Sequence, residues 1–240
     1  MPHHDDVDLP AQLAHVHDSI VSCERCPRLR TYCRRVAQEK KRAHRADTYW
    51  GRPVPGFGDP NARLLLVGLA PAAHGANRTG RPFTGDGSGD FLMSALHRTG
   101  FANIATSQHV EDGLRLHDAY IVSAVRCAPP GNKPLPEEVS RCLDHLEAEL
   151  THLRRVRVVV ALGKIAFDAW LQLLRRRGAV PSPRPQFGHG VVVAAEPRTD
   201  DAFWPTLVGC YHPSRQNTNT GKLTARMMES VFRKATRLIG

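Results

Sequence analysis

The sequence predicts an α/β protein in which a parallel sheet is covered by helices on both sides. Runs of mainly apolar residues at 63–69, 119–125 and 157–163 are typical of strands that are buried on both faces. Helical patterns lie between and after these runs, and this alternation is characteristic of parallel sheets. The chain has 240 residues and is 41% hydrophobic, which is sufficient for one domain with a sizeable core.

The remaining elements follow in chain order around these three strands. Leu13, Val16 and Ile20 recur at helical spacing, so a helix is predicted within a mostly helical N-terminal segment, residues 1–60. Further helices are predicted at 90–98, 134–154, 164–176 and 223–239, and further strands at 190–194 and 206–210. We expect the whole chain, 1–240, to form a single domain.

The composition favours an anionic partner. The chain carries 33 Lys and Arg against 23 Asp and Glu, a formal net charge of +10. Such an excess either keeps the surface solvated or binds a polyanion, most often nucleic acid. The basic stretch at 28–53 has the same two interpretations, a solvated helix face or a set of phosphate contacts. Because the chain shows no long apolar run and no N-terminal signal pattern, we expect a cytoplasmic protein without membrane contact.

The chain has six cysteines: Cys23, Cys26, Cys33, Cys127, Cys142 and Cys210. Cys23 and Cys26 form a close pair, Cys127 follows the second predicted strand, and Cys142 lies about two turns into the next helix. Thiolates are good ligands for zinc and iron. A zinc knuckle repeats a close pair, which the second pair here does not, whereas a four-thiolate iron–sulfur cluster tolerates irregular spacing. The alternative is inert core cysteines, which is our interpretation of the remaining two.

Polar loops follow three of the predicted strands and should meet at the carboxyl edge of the sheet. These loops span 68–86, 126–134 and 211–222. They carry His74, His212, several neutral hydrogen-bonding side chains and several cations, but few carboxylates. They contain no phosphate-binding loop, no nucleophile elbow and no His-Glu-x-x-His motif. This inventory suits a planar base bound beside a phosphate backbone, with Phe83 available for stacking.

Three motifs, together with the four cysteines Cys23, Cys26, Cys127 and Cys142, resemble the family 5 (type B) uracil-DNA glycosylases. The motifs are GLAPAAHGANRTGRPFTGD at 68–86, RCAPPGNKP at 126–134 and HPSRQNTNTGKLT at 212–224. The resemblance extends from the first cysteine to the last helix. It implies a three-layer αβα fold with a central four-stranded parallel sheet. It also implies a structural [4Fe–4S] cluster, whose ligands would be Cys23, Cys26, Cys127 and Cys142.

The activity that the resemblance implies is base excision repair of DNA. Such an enzyme flips a damaged base out of the duplex and hydrolyses its bond to deoxyribose, which leaves an abasic site. The substrates would be uracil and other deaminated bases such as hypoxanthine. We expect a monomer that is associated with the nucleoid when it is bound to DNA.

The resemblance assigns roles to individual residues. Phe83 matches the aromatic residue that stacks on the flipped base, and His212 matches the histidine that binds the carbonyl oxygen of the base. We expect the DNA-binding residues to be Arg215, Gln216, Asn217, Lys222 and Arg78.

The sequence departs from related families directly after the first strand. Leu69 and Ala70 stand where related glycosylases place Asp, Asn or Glu to position the attacking water. We therefore expect Ala70 to contact the base, and Asn132, followed by Asn77, to position the water. Asp86 is either a further catalytic carboxylate or the cap of the helix that begins near residue 88.

A second departure concerns the base pocket. Ser123 stands where the family 4 enzymes carry an asparagine that recognises the edge of uracil. A smaller side chain predicts a roomier pocket and a broader range of bases. Three other functions remain open from sequence alone: a family 4 enzyme, a non-catalytic iron–sulfur nucleic-acid binder on the same fold, and a redox protein with free thiols.

Overall fold

A six-stranded sheet forms the centre of the computed structural model, which describes residues 10–179, 182–194 and 204–240. The strands are β1 (Phe57–Gly58), β2 (Leu64–Gly68), β3 (Ala119–Ser123), β4 (Val158–Leu162), β5 (Val192–Val193) and β6 (Thr206–Cys210). Their order is β1-β3-β2-β4-β6-β5. The four central strands are parallel, as expected, and the two-residue edge strands β1 and β5 pair antiparallel to them.

Eight helices surround the sheet among the described residues. They are α1 (Ala11–Val21), α2 (Pro27–Glu39), α3 (Ala76–Thr79), α4 (Gly87–Arg98), α5 (Pro136–His152), α6 (Lys164–Arg176), α7 (Arg215–Asn219) and α8 (Ala225–Ile239). The helices predicted after the strands are confirmed. The first nine residues of the predicted N-terminal segment lie outside the described part of the chain. No described helix is long and apolar enough to cross a bilayer.

Alternation along the strands divides the core into two layers. Leu65 and Val67 point to the face covered by α1, α2, α5 and α6, whereas Leu64 and Leu66 point to the face covered by α4 and α8. All residues of β2, β3 and β4 are buried, which explains their continuous apolar runs. The three-layer αβα arrangement is therefore confirmed.

The strand order determines where a site can form. In the sheet, β3 lies on one side of β2, and β4, which follows β3 in the chain, lies on the other side of β2. The loops after β2 and β4 therefore diverge at this switch point, and a crevice opens beyond the carboxyl ends of the strands. The loop after β6 lies next to β4 and reaches the same edge.

A buried polar network fixes the N-terminal helix to the sheet beneath the loop after β3. Arg126 and Glu149 form an ion pair and are both fully buried. Glu149 also accepts a hydrogen bond from the backbone N–H of Gly56 at 2.8 Å, and Tyr120 and His17 are joined at 2.7 Å. Burial raises the pKa of Glu149, and the Arg126 charge and hydrogen bonds oppose that shift. The network joins α1, β3 and α5.

Candidate functional site

Two aromatic rings from different loops meet at the carboxyl edge of the sheet. Phe83, in the loop after β2, and His212, after β6, have ring centroids 6.0 Å apart and ring planes inclined by 34°. Gly163, at the end of β4, lies against His212, since an added Cβ would be 3.2 Å from the histidine Cβ. Two of the three loops that were expected to meet, those after β2 and β6, therefore come together here, beside the end of β4.

Phe83 adopts a backbone conformation that is rare for a bulky residue. Its φ is +49°, in the left-handed region where side chains other than glycine are disfavoured. Its ring lies on the bare Cα of Gly68, where an added Cβ would be 2.8 Å from the ring atom Cε2. Its carbonyl packs against Gly89, at which an added Cβ would overlap with it. Gly68 thus provides the space for the aromatic ring, and Gly89 provides the space for the backbone carbonyl behind it.

A buried arginine holds the loop around Phe83. The Arg81 guanidinium donates to both carboxylate oxygens of Asp112 at 2.7 Å, and to the hydroxyls of Thr84 and Ser107 at 2.9 and 3.2 Å. Burial alone would raise the pKa of Asp112, but hydrogen bonds from Arg81 and from two backbone N–H groups hold that pKa below its usual value. The sequence did not identify Arg81 and Asp112, because their ion pair joins positions 31 residues apart. It did not identify Gly68 either, because the ring that covers this glycine comes from a later part of the loop.

The ring nitrogens of His212 have no hydrogen-bond partner among the described residues. The residue is half-buried, and desolvation of its ring lowers its pKa to about 4. Its imidazole is therefore neutral at neutral pH and carries one N–H donor. The loop behind it is held by the Asn217 side-chain amide, which donates to the His212 carbonyl oxygen at 2.9 Å. The ring is thus positioned and free to bind a ligand.

Ser123 lies beside this pair of rings. It is the last residue of β3 and is paired in register with Gly68, so its side chain points to the same face as the Phe83 ring. It is only 5% exposed, and no described residue hydrogen-bonds to its hydroxyl. Ala70, in contrast, is half-buried and packs against the core layer on the opposite face.

The two candidates for water positioning, Asn132 and Asn77, lie in different environments in the structure. Asn132 is exposed, has a φ of +57°, and its side chain hydrogen-bonds to no described residue. Asn77 is fully buried, and its amide donates to the carbonyls of Ala73 at 3.3 Å and Cys33 at 3.5 Å. Its Oδ1 accepts no hydrogen bond from the described residues, so Asn77 supports its own loop through the amide nitrogen and stays a candidate for holding a water.

Asp86 is the cap of α4. Its Oδ1 accepts hydrogen bonds from the backbone N–H groups of Ser88 at 2.9 Å and Gly89 at 3.0 Å. Its Oδ2 lies against the Cα of Gly75, where an added Cβ would overlap with it. No described residue donates to Oδ2, so one carboxylate oxygen of the loop remains available.

The residues expected to bind DNA fall into two groups. Arg215 and Gln216 are exposed at the start of α7, and the Lys222 ammonium lies 5.3 Å from the centre of the Tyr211 ring. None of them forms an ion pair with a described residue. Asn217 is committed to the His212 carbonyl, as described above.

Arg78 corrects one of these expectations. Its guanidinium donates to Asp47 at 2.7 Å and to the carbonyls of His74 at 2.9 Å and Gly85 at 3.1 Å. All three of its nitrogens are therefore used inside the protein. Arg78 stabilises the loop after β2 and is not free to bind a phosphate.

Three of the four cysteines that were expected to ligate a cluster lie in one core layer. Cys26, Cys127 and Cys142 are each 6% exposed there, Cys23 is half-exposed, and all are free thiols. Burial raises the pKa of Cys142 to about 11, and charge on Cys26 and Cys23 contributes to that shift. No three of the described His, Cys, Asp and Glu side chains are arranged to ligate a single metal ion.

Arginines surround these sulfur atoms. Arg25 Nε lies 3.5 Å from the Cys23 sulfur, and Arg30 Nη1 lies 4.0 Å from the Cys127 sulfur. Arg141 opposes the burial that raises the pKa of Cys26. These cations lower the pKa of the neighbouring thiols, but the pKa values of the buried Cys26, Cys127 and Cys142 remain above their usual value.

Comparison with known proteins gives a consistent result. A family model of the uracil DNA glycosylase superfamily matches residues 55–236. A type-5 uracil-DNA glycosylase of Mycobacterium tuberculosis is 50% identical over 219 residues, which is 91% of this chain and 78% of that protein. Another, of Thermus thermophilus, is 49% identical over 227 residues, 92% of this chain and 96% of that protein. A type-4 enzyme of Pyrobaculum aerophilum is 33% identical over 166 residues, 69% and 67% respectively.

Proposed function

The chain belongs to the uracil-DNA glycosylase superfamily, and we propose that it hydrolyses the bond between uracil and deoxyribose in DNA and leaves an abasic site. The meeting of the Phe83 and His212 rings at the sheet edge carries this proposal, since it places a stacking surface beside a hydrogen-bond donor. The identity with type-5 enzymes over nine-tenths of the chain supports it. The lower identity and coverage of the type-4 relative disfavour the type-4 alternative.

Excision begins with extrusion of the nucleotide, because the glycosidic bond is inaccessible inside a duplex. The extruded base stacks on Phe83, whose half-buried ring is prevented from shifting by the strand end beneath it. Stacking on an aromatic ring contributes about 1–3 kcal/mol per base. Fixing the base in this way leaves the sugar free to move away from it as the bond stretches.

His212 stabilises the departing base. As the bond breaks, negative charge develops on the uracil carbonyl oxygens, and a positioned N–H donor lowers the energy of that state. Because its pKa is about 4, His212 acts as a neutral hydrogen-bond donor rather than as an acid at neutral pH. Its ring has no partner among the described residues that would compete for this donor.

The side chains at positions 69 and 70 do not hold the attacking water. Both residues are apolar, so the transition state depends on departure of the base more than on activation of water. Asn132 is our candidate for orienting the water, because its amide is exposed and unpartnered. The free Oδ2 of Asp86 is a second candidate, which would also stabilise positive charge that develops on the sugar.

We propose that hypoxanthine and related deaminated bases are also substrates. The hydroxyl of Ser123 has no fixed partner and beside it Gly68 has no side chain, so this wall imposes little hydrogen-bond selectivity. A site that does not hydrogen-bond a specific edge discriminates weakly between bases.

We propose that Cys23, Cys26, Cys127 and Cys142 hold a [4Fe–4S] cluster. The charge effects that link Cys142 to Cys23, Cys26 and Cys127, together with the flanking arginines, support a four-thiolate set. Such a cluster would stabilise the fold, because it would join the turn before α2 to α5 and to the loop after β3.

The activity is tested by following free uracil released from a uracil-containing duplex at saturating enzyme. The native chain should release uracil, and His212→Ala should slow release by about 10²–10³-fold because the donor is removed. The rate should show no inflection near pH 6.5, since His212 stays neutral until the pH falls towards about 4.

His97→Ala is the matched control, because His97 is exposed at the end of α4. DNA that is bound but never loses uracil would favour a non-catalytic binder. An inflection near pH 6.5 that disappears in His212→Gln would contradict the neutral role of His212.

The range of bases is tested with Ser123→Asn. An asparagine here would provide a fixed donor and acceptor, so we expect the ratio of uracil to hypoxanthine excision to rise about tenfold. The two rates are measured on otherwise identical duplexes. An unchanged ratio would show that Ser123 does not govern selectivity.

The cluster is tested by iron and sulfide analysis of protein purified without oxygen. We expect about four of each per chain in the native protein and a large decrease in Cys142→Ser. Cys210→Ser is the matched control, because Cys210 is equally buried but lies in the opposite core layer. A native protein without iron, or equal decreases in both variants, would refute the assignment.

A further inference from the structure

We infer that residues 40–45, here called the basic segment, form a second contact with the DNA backbone, on the side of the pocket away from Arg215. The segment follows α2 and has the sequence KKRAHR. This inference rests on the proposed function, since it concerns how the same DNA is held. Sequence alone left the wider basic stretch open between a solvated helix face and a set of phosphate contacts.

The segment leaves the helix and forms a separate projection. Lys40 ends α2 with a φ of +52°, and Arg42–His44 form a short 3-10 turn. The Lys40 ammonium donates to the Arg45 carbonyl at 3.3 Å, which closes the segment on itself. The three remaining cations are therefore presented together on a compact turn.

The charge of the segment is not neutralised internally. Lys41, Arg42 and Arg45 are exposed and form no ion pair with any described residue. The nearest carboxylates in sequence are already engaged, since Asp47 binds Arg78 at 2.7 Å and Glu39 lies 3.9 Å from Arg35. Many other arginines of this protein do have acidic partners, so three free cations within five residues stand out.

The segment is fixed to the loop that carries Phe83. The Tyr49 hydroxyl accepts from the backbone N–H of Lys41 at 3.3 Å and is joined to His74 Nδ1 at 3.0 Å. The backbone N–H groups of Trp50 and Gly51 donate to the carbonyls of residues 78 and 77 at 2.8 and 3.0 Å. Burial lowers the pKa of His74, and the charges of Lys41, His44 and Arg78 lower it further, so the positive field reaches this loop.

The two cationic groups flank the pocket from opposite faces of the sheet. Arg215 lies beside Gly87 at the start of α4, where an added Cβ would be 3.6 Å from Arg215 Nε. The basic segment follows α2, which packs on the other face. A strand that crosses the pocket would therefore meet cations before and after the extruded nucleotide. Such phosphate contacts fix the position of DNA without reading its sequence.

The test is a triple variant, Lys41→Ala/Arg42→Ala/Arg45→Ala, with DNA affinity measured between about 50 and 200 mM salt. We expect the dissociation constant to rise by about tenfold to hundredfold. The slope of log K against log salt should fall by about 1 for each phosphate that the variant no longer binds. Uracil-containing and undamaged duplexes should be affected equally, because their phosphates are the same.

The matched control is Arg154→Ala/Arg155→Ala/Arg175→Ala. These three arginines are also exposed and without ion pairs among the described residues, but they lie at the amino edge of the sheet. The control should keep the native slope and affinity. An unchanged affinity in the basic-segment variant, an equal weakening in the control, or a weakening confined to uracil-containing DNA would overturn the inference. Because undamaged DNA is included, these outcomes are separate from a failure to excise uracil.

Discussion

The contact between the Phe83 ring and the bare Cα of Gly68 is the constraint on which the pocket depends. Phe83 can lie over the end of β2 only because that strand ends in a residue without a side chain. Its left-handed backbone costs about 1–3 kcal/mol. Breaking a buried ion pair such as Arg81–Asp112 costs about 3–5 kcal/mol. The Arg81–Asp112 pair holds the loop that carries Phe83, so moving the ring away from Gly68 would disturb a buried ion pair.

The chemistry follows from what this pocket lacks. With apolar residues at 69 and 70, no side chain at these positions activates water. The proposed mechanism therefore depends more on His212 and on stacking of the base against Phe83. The low pKa of His212 means that the proposed donor is a neutral imidazole N–H, which stabilises the anionic base by hydrogen bonding rather than as a charged group. The unpartnered hydroxyl of Ser123 is the basis of the proposed range of bases.

The sequence predicted the parts of this structure that depend on local pattern. The buried strands are recognisable because their residues are apolar throughout, and the polar loops after them had to meet at one edge. Side-chain partners were not predictable, because they come from distant segments. The Arg78 guanidinium donates a hydrogen bond to Asp47. The side-chain amides of Asn77 and Asn217 donate to the carbonyls of Cys33 and His212, respectively. The edge strand β1 and the helices α3 and α7 are too short to leave a periodic signal, whereas β5 lies within the strand predicted at 190–194.

The central claim, that the base stacks on the Phe83 ring held over Gly68, is tested most directly by the single-turnover rate of uracil excision by Gly68→Ala. The new methyl group would displace the Phe83 ring, and displacement by about 1 Å can cost a hundredfold in rate. Gly188→Ala is the control, because an added Cβ there makes only an ordinary contact at 3.9 Å. We expect the rate to fall by about tenfold to hundredfold in Gly68→Ala, with native folding and with little change in the control. A native excision rate in Gly68→Ala would contradict the account.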